Sequence, residues 1–152
     1  MSTMDADPVI VVADPSHAAL VHRVAREAAA HEDALDALST DTSGWQRLLA
    51  NERVVVLIAL VHGQPVGYAA AVRTLDLRTG RSAIDLDDLY VRPSARDRGI
   101  GEALLRAMAD RHDGDPVRWE VEEGNLAGQR FALRIGARLR RKVVAWWKPT
   151  AR

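Results

Sequence analysis

"VRPSARDRGIGEALL", residues 91–105, sets arginines and two glycines, Gly99 and Gly101, between an apolar run that reads as a strand and one that reads as a helix. The amides of a glycine-rich turn that opens a helix point outward with the positive end of the helix dipole. An anion, and pyrophosphate above all, is the ligand such a loop suits. The alternative is that the two glycines only form a tight turn.

Working outward from this loop, "SAIDLDDLYV" (82–91) precedes it as a strand and "GEALLRAMADRH" follows as a helix, with Ala103, Leu104, Ala107 and Met108 on one face. "DGDP" ends that helix before "VRWEVE" (117–122), and strand, helix, strand at this spacing implies a parallel crossover. Upstream, "RVVVLIALV" (53–61) and "PVGYAAAVRTL" (65–75) flank the turn "HGQP", which predicts a hairpin. With 82–91 they make a three-stranded antiparallel meander. "VIVVA" (9–13) is a further short strand. A long helix should start after it, with Asp14 as N-cap and Pro15 at the first helical position. Leu20, Val21, Val24, Ala25, Ala28 and Ala29 give that helix one apolar face, Leu35 and Leu38 fall on a bent second segment, and Ser43 is the expected cap of a short helix through "GWQRLLAN". "NLAGQRFALRIGA" predicts a last helix with Asn125 as N-cap and Gly136 past its end, and "KVVAWWK" (142–148) a closing strand. Its Trp146 and Trp147 should face opposite sides, with at least one packed in the core and the other at a partner surface. The pattern is mixed α/β in a single domain, residues 1–152.

Three phosphate-binding patterns compete for the loop. A P-loop needs Gly-Lys-Ser/Thr, and this chain has no lysine before Lys142. A Rossmann fingerprint needs a third glycine where Leu104 stands, although Glu120 sits near the position of its ribose-binding acid. The third is RxxGxG, spelled by Arg96, Gly99 and Gly101. This motif, together with "LDDLYVRPSARDRGIGEALL" and "WEVEEGNLAGQRFALRIGA", resembles the GNAT superfamily of N-acetyltransferases over residues 9–147. The resemblance implies a mostly antiparallel central sheet with one splayed parallel strand pair and helices on both faces.

The same resemblance implies acetyl-CoA as cosubstrate. Leu89, Tyr90 and Val91 fall at the positions whose backbone pairs with the pantetheine arm, and plain strand packing is their other reading. Arg96, Asp97, Arg98, Gly99, Ile100, Gly101 and Glu102 match the pyrophosphate cradle. Asn125 and Phe131 match residues that contact the cofactor in relatives, while an N-cap and a packed helical aromatic are their structural alternatives. Transfer of acetyl to an amine needs the amine neutral and eventually a proton for the thiolate. Asp87 aligns with a family carboxylate base, Asp88 is the acid beside it, and Glu120 is the second candidate base. Strand alternation predicts that only one of Asp87 and Asp88 faces the site. Ala132 stands where the family commonly carries the tyrosine that protonates the thiolate.

Composition narrows the function classes. Lys+Arg and Asp+Glu are both 21, so no overall basic field attracts nucleic acid. The absence of cysteine excludes disulfides, thiolate metal sites and a cysteine-bound acyl group. The five histidines lack metal-site spacing, so no metal is expected. The leading apolar run follows acidic residues and is too short for a signal peptide or membrane span, and the expected location is cytoplasmic. Glu27, Glu32, Asp33, Asp36 and Asp41 form an acidic stretch without Lys or Arg. It reads as a solvated helix face or as part of an acceptor mouth, in which Glu32, Asp36 and Asp88 would bind a small cationic amine. A protein N-terminus or lysine is the rival acceptor, a cofactor sensor without turnover the rival function, and related proteins that pair as homodimers make a homodimer the expected assembly.

Overall fold

The structure, a computed structural model, describes residues 6–151. The chain divides after Trp119 into two compact units. The first holds five strands: β1 (Val9–Val12), β2 (Val54–Val61), β3 (Gln64–Asp76), β4 (Arg81–Val91) and β5 (Val117–Arg118). They lie in sequence order in one sheet, antiparallel throughout except for the parallel pair of β4 and β5.

β2 and β3 meet through His62 and Gly63, at φ of 50° and 74°, in the left-handed conformation that matches the twist of a two-residue hairpin. The turn is thus shorter than "HGQP" suggests, because Gln64 already pairs with Val61. Gly67 is required where β3 crosses the end of β4: a Cβ there would lie 2.7 Å from the Tyr90 carbonyl oxygen.

Helix α1 (Ala18–His31) follows a 3-10 turn at Pro15–His17 whose cap is Asp14, as the sequence predicts. Helix α2 (Thr42–Leu49) is capped by Asp41, which accepts a 2.7 Å hydrogen bond from the Gly44 amide; Ser43, the expected cap, lies one residue inside the helix. Val21, Val24, Ala25 and Ala28 of α1 and Trp45 of α2 pack with Val56, Ile58, Tyr68, Ala70 and Tyr90 on one face of the sheet. Helix α3 (Ile100–Asp110) packs on β2, β3 and β4 through its buried Ile100, Leu104, Leu105 and Met108. Burial on both faces explains why β2 reads as an unbroken apolar run.

The second unit carries helix α4 (Leu126–Arg134), capped by Asn125 and followed by Gly136 at φ 92°. Two expectations fail around it. The strand through 117–122 ends at Arg118, and 142–148 forms no strand. A strand exists only where a neighbour takes its backbone hydrogen bonds, and in the first stretch only Val117 and Arg118 have such a ladder. Trp146 and Trp147 are 93% and 86% exposed on the second unit.

Candidate active site

The center of the site is a β-bulge. Asp88 pairs with Ala70 and Leu86 with Ala71, leaving Asp87 as one extra residue on β4 without a partner on β3. In a regular strand consecutive side chains alternate faces, but a bulge sets two residues against one and turns the strand locally. Asp87 and Asp88 accordingly line the same cavity, against the expectation that only one would face the site.

That cavity, about 220 Å³, is walled by Ala25 of α1, Trp45 and Leu48 of α2, and Ala70 and Ala71 of β3. Part of the space follows from "GYAAAV": Ala70 and Ala71 line it, and a larger side chain at Ala70 would fill the gap under α2. Tyr68, the large residue of that run, is 2% exposed. It pairs with Tyr90, which makes Asp88 its diagonal neighbour on the same face, a separation an aromatic side chain spans. Its hydroxyl donates to Asp88 Oδ2. Trp45 contributes a buried indole N–H that has no hydrogen-bond partner among the described residues.

Burial is the first cause that holds the Asp88 carboxyl above the usual aspartate range. The Asp87 charge adds to it, against the Tyr68 hydroxyl and Leu89 amide, which favour the ionised form. Asp87 is raised by burial and then by Asp85, and Glu32, just past α1, by burial and then by Asp88. Tyr68 is pushed up by burial and by the Asp88 charge. The structure therefore brings Asp87 and Asp88 together in the cavity lining, with Glu32 outside that lining but within electrostatic reach of Asp88. Asp36 lies exposed on the 3-10 turn Leu35–Ala37.

The acidic stretch of α1 and its following turns is not uniformly uncompensated. Both oxygens of Glu27 accept from Arg92, Nε and an Nη each at 2.7 Å, and this fork ties α1 to the end of β4. The Arg92 bond holds the Glu27 carboxyl below its ordinary range despite partial burial. Asp41 is spent as the cap of α2.

Past β4, the loop is shaped by Asp97 and Gly99, at φ of 61° and 74°. Gly99 is the N-cap of α3 and offers no side chain to its first amides, so the helix begins with donors left for another partner. Arg96 braces the loop: Nε donates to the Val91 carbonyl at 2.9 Å, and an Nη lies 2.9 Å from His31 Nε2. Glu102 pairs with Arg106 within α3. Ile100 is buried beneath the loop. β4 pairs with β5 at Ile84 with Val117 and at Asp85 with Arg118, and Leu89, Tyr90 and Val91 follow farther along β4. Among the described residues no cluster of three or more His, Asp and Glu is placed to hold a metal ion.

Glu120, Asn125 and Phe131 belong to the second unit. Glu120 is exposed, the Asn125 carboxamide oxygen accepts from the Gly128 amide at 2.9 Å, and Phe131 carries the Arg134 guanidinium 5.8 Å from its ring centre. Ala132 is fully buried. Nothing in the sequence pattern marks Tyr68 and Trp45 as site residues beyond a lone tyrosine beside three alanines.

Known proteins share this fold. The family model described as the acetyltransferase (GNAT) family matches residues 19–137. An aminoglycoside acetyltransferase from an uncultured soil metagenomic sample, solved with sisomicin, superposes with a TM-score of 0.83 at 18% identity, over 97% of this chain and 99% of that one. The aminoglycoside acetyltransferase AAC(6')-Iy, solved with a CoA-containing bisubstrate analogue, gives 0.76 at 19%, over 95% and 100%. A ribosomal-protein-alanine N-acetyltransferase from Brucella melitensis biovar Abortus 2308 gives 0.68 at 20%, over 95% and 98%. No curated protein matches the chain in sequence. No helix among the described residues is long and apolar enough to cross a membrane.

Proposed function

The chain belongs to the GNAT family of acetyltransferases, and from that premise we propose that it transfers the acetyl group of acetyl-CoA to a small cationic amine bound among Asp87, Asp88 and Glu32. The observation that carries this reading is the bulge that turns two adjacent carboxylates into one cavity. A volume of about 220 Å³ accommodates an amino group and the few carbons around it, so a larger acceptor would extend outside. That two of the superposed enzymes are aminoglycoside acetyltransferases is in keeping with such an acceptor. We read residues 1–152 as one domain, because the family match runs across the boundary at Trp119.

Acetyl-CoA would supply the acyl group as a thioester. The backbone at Leu89, Tyr90 and Val91 is assigned to its pantetheine amides on the family resemblance, and the amides at Ile100, Gly101 and Glu102, which Gly99 leaves uncapped, are suited to its pyrophosphate. In that loop Arg96 keeps the backbone in place through Val91, Gly99 supplies the left-handed turn, and Asp97 and Arg98 complete the loop. Asn125 and Phe131 are assigned to the cofactor on the family resemblance.

The acceptor enters as an ammonium, which the three acids favour over a neutral ligand. Its nitrogen attacks only once a proton has left, and a carboxylate with a raised pKa takes that proton more readily near neutral pH than an ordinary aspartate. Asp87 is assigned that step, and Asp88 the anchoring of the ammonium. Glu120 is the alternative base. Ala132 supplies no hydroxyl, so the thiolate's proton comes from another donor.

Incubation with acetyl-CoA and a panel of cationic small amines, peptide N-termini and neutral amines tests the reading by mass spectrometry. A gain of one acetyl group on the small cationic amines is expected. Acetylation of peptides alone would move the acceptor to proteins, and cofactor binding with no acetylated product would leave a binding protein.

A further inference from the structure

We propose that Tyr68 is the positioning residue of the acceptor site, orienting the Asp88 carboxylate so that it holds the incoming ammonium in place for attack. This rests on the reading of the cavity as the acceptor site.

Tyr68 sits on the central part of β3, fully packed, with its hydroxyl committed to Asp88 Oδ2. A side chain held by backbone pairing at Tyr90 and by the core around it cannot follow Asp88 if that carboxylate rotates. The bond therefore fixes one carboxylate oxygen and its plane, leaving the remaining lone pairs for a ligand in the cavity that Asp88 lines. Without the bond, Asp88 follows a bulge whose other residue, Asp87, has no cross-strand partner to limit it. A buried tyrosine needs a partner for its hydroxyl, but a backbone carbonyl would serve that need equally. Spending it on a carboxylate in a cavity carries a cost, since that carboxylate is partly desolvated. That cost makes sense where the carboxylate's direction matters.

The charges around Asp88 set what its titration should show. Tyr68 faces it from β3, Asp87 stands beside it on β4, and Glu32, with His31 next to it, feels the Asp88 charge from just past the end of α1. Helix α2 contributes Trp45 and Leu48, neither ionisable in this range. Of these side chains only Tyr68 donates a hydrogen bond to the ionised carboxylate.

The test compares steady-state kinetics of the wild type, Tyr68→Phe, Asp87→Asn, Asp88→Asn and the double variant Tyr68→Phe/Asp88→Asn on a cationic amine. Tyr68→Phe keeps the ring and its packing. It should raise KM for the amine about tenfold with kcat and the CoA KM little changed. The acidic limb of kcat/KM should move up by about one pH unit, because the proton is lost later without the donor. In the Asp88→Asn background the same change should add nothing. A full effect there, or an unmoved KM and pH limb in the single variant, overturns the proposal. If neither Asp87→Asn nor Asp88→Asn alters amine kinetics, the acceptor-site reading itself falls. Should Tyr68→Phe fail to fold, the wild-type sequence with Tyr68 and Tyr90 replaced by 3-fluorotyrosine serves instead. Its more acidic phenol donates more strongly and should move the limb to lower pH, and no movement overturns the proposal.

Discussion

Asp87 has no partner across the sheet while its neighbour Asp88 stands opposite Ala70, and this single extra residue on β4 sets both acids in one cavity. The two should fail differently. Asp88→Asn removes the anchor and is expected to act mainly on KM for the amine. Asp87→Asn removes the base and should lower kcat by about 100-fold, within the range general-base catalysis contributes. Steady-state kinetics in the amine at saturating acetyl-CoA separates them.

The acid side of the pH profile follows from the raised carboxyls. Asp87, Asp88 and Glu32 are all shifted up, so amine kcat/KM should fall at a pH above the ordinary aspartate range. The same shift predicts a stability effect of opposite sign to a salt bridge. A carboxyl whose folded pKa is raised takes up protons more readily in the folded state, so its ionisation destabilises the fold as pH rises through the window between the two values. Asp87→Asn should therefore melt higher than wild type above that window and no higher below it, as calorimetry across pH would record.

Filling the cavity is a sharper test of its role than removing a charge. Ala70→Leu places a larger side chain under α2, where Ala70 and Trp45 wall the space. It should raise KM for the amine at least tenfold and leave the CoA KM unchanged, measured on protein whose melting confirms a folded chain.

The fork between Glu27 and Arg92 should matter for stability. A charge-assisted bidentate pair that is about a third exposed is worth about 1 kcal/mol after screening. Glu27→Gln should lower Tm by about 2–4 °C near neutral pH. Because the Glu27 pKa is depressed, this contribution is present above the ordinary glutamate value and is lost as pH falls through the folded one. The gap between variant and wild type should close in acid.

At Gly99 the constraint is conformation, not space. Its φ is 74° and an added Cβ would meet no atom within 4 Å. Gly99→Ala should cost about 1–2 kcal/mol from the left-handed backbone alone, and weaken CoA binding by shifting the start of α3. Calorimetry and CoA titration of the same sample report both.

The meander of β2, β3 and β4, the parallel step to β5 and the first three helices were legible because each is written in local pattern: alternation, a cap residue, a glycine at a left-handed turn. What escaped the sequence depends on a ladder. The bulge at Asp87 is a mismatch of one residue between β3 and β4, and no feature of "LDDLYV" alone marks it. Alternation therefore predicted opposite faces for two acids that share a cavity. Residues 142–148 have strand composition, but composition does not supply a neighbouring strand to receive the hydrogen bonds. Tyr68 was overlooked because its role lies in a diagonal contact with Asp88, twenty residues away in the chain.

The most direct measurement is amine-dependent thiol release from acetyl-CoA by wild type, Asp87→Asn and Glu120→Gln on a cationic small amine. The account predicts release by the wild type, a loss of about 100-fold in kcat for Asp87→Asn, and little change for Glu120→Gln. Loss with Glu120→Gln and full activity with Asp87→Asn would contradict it.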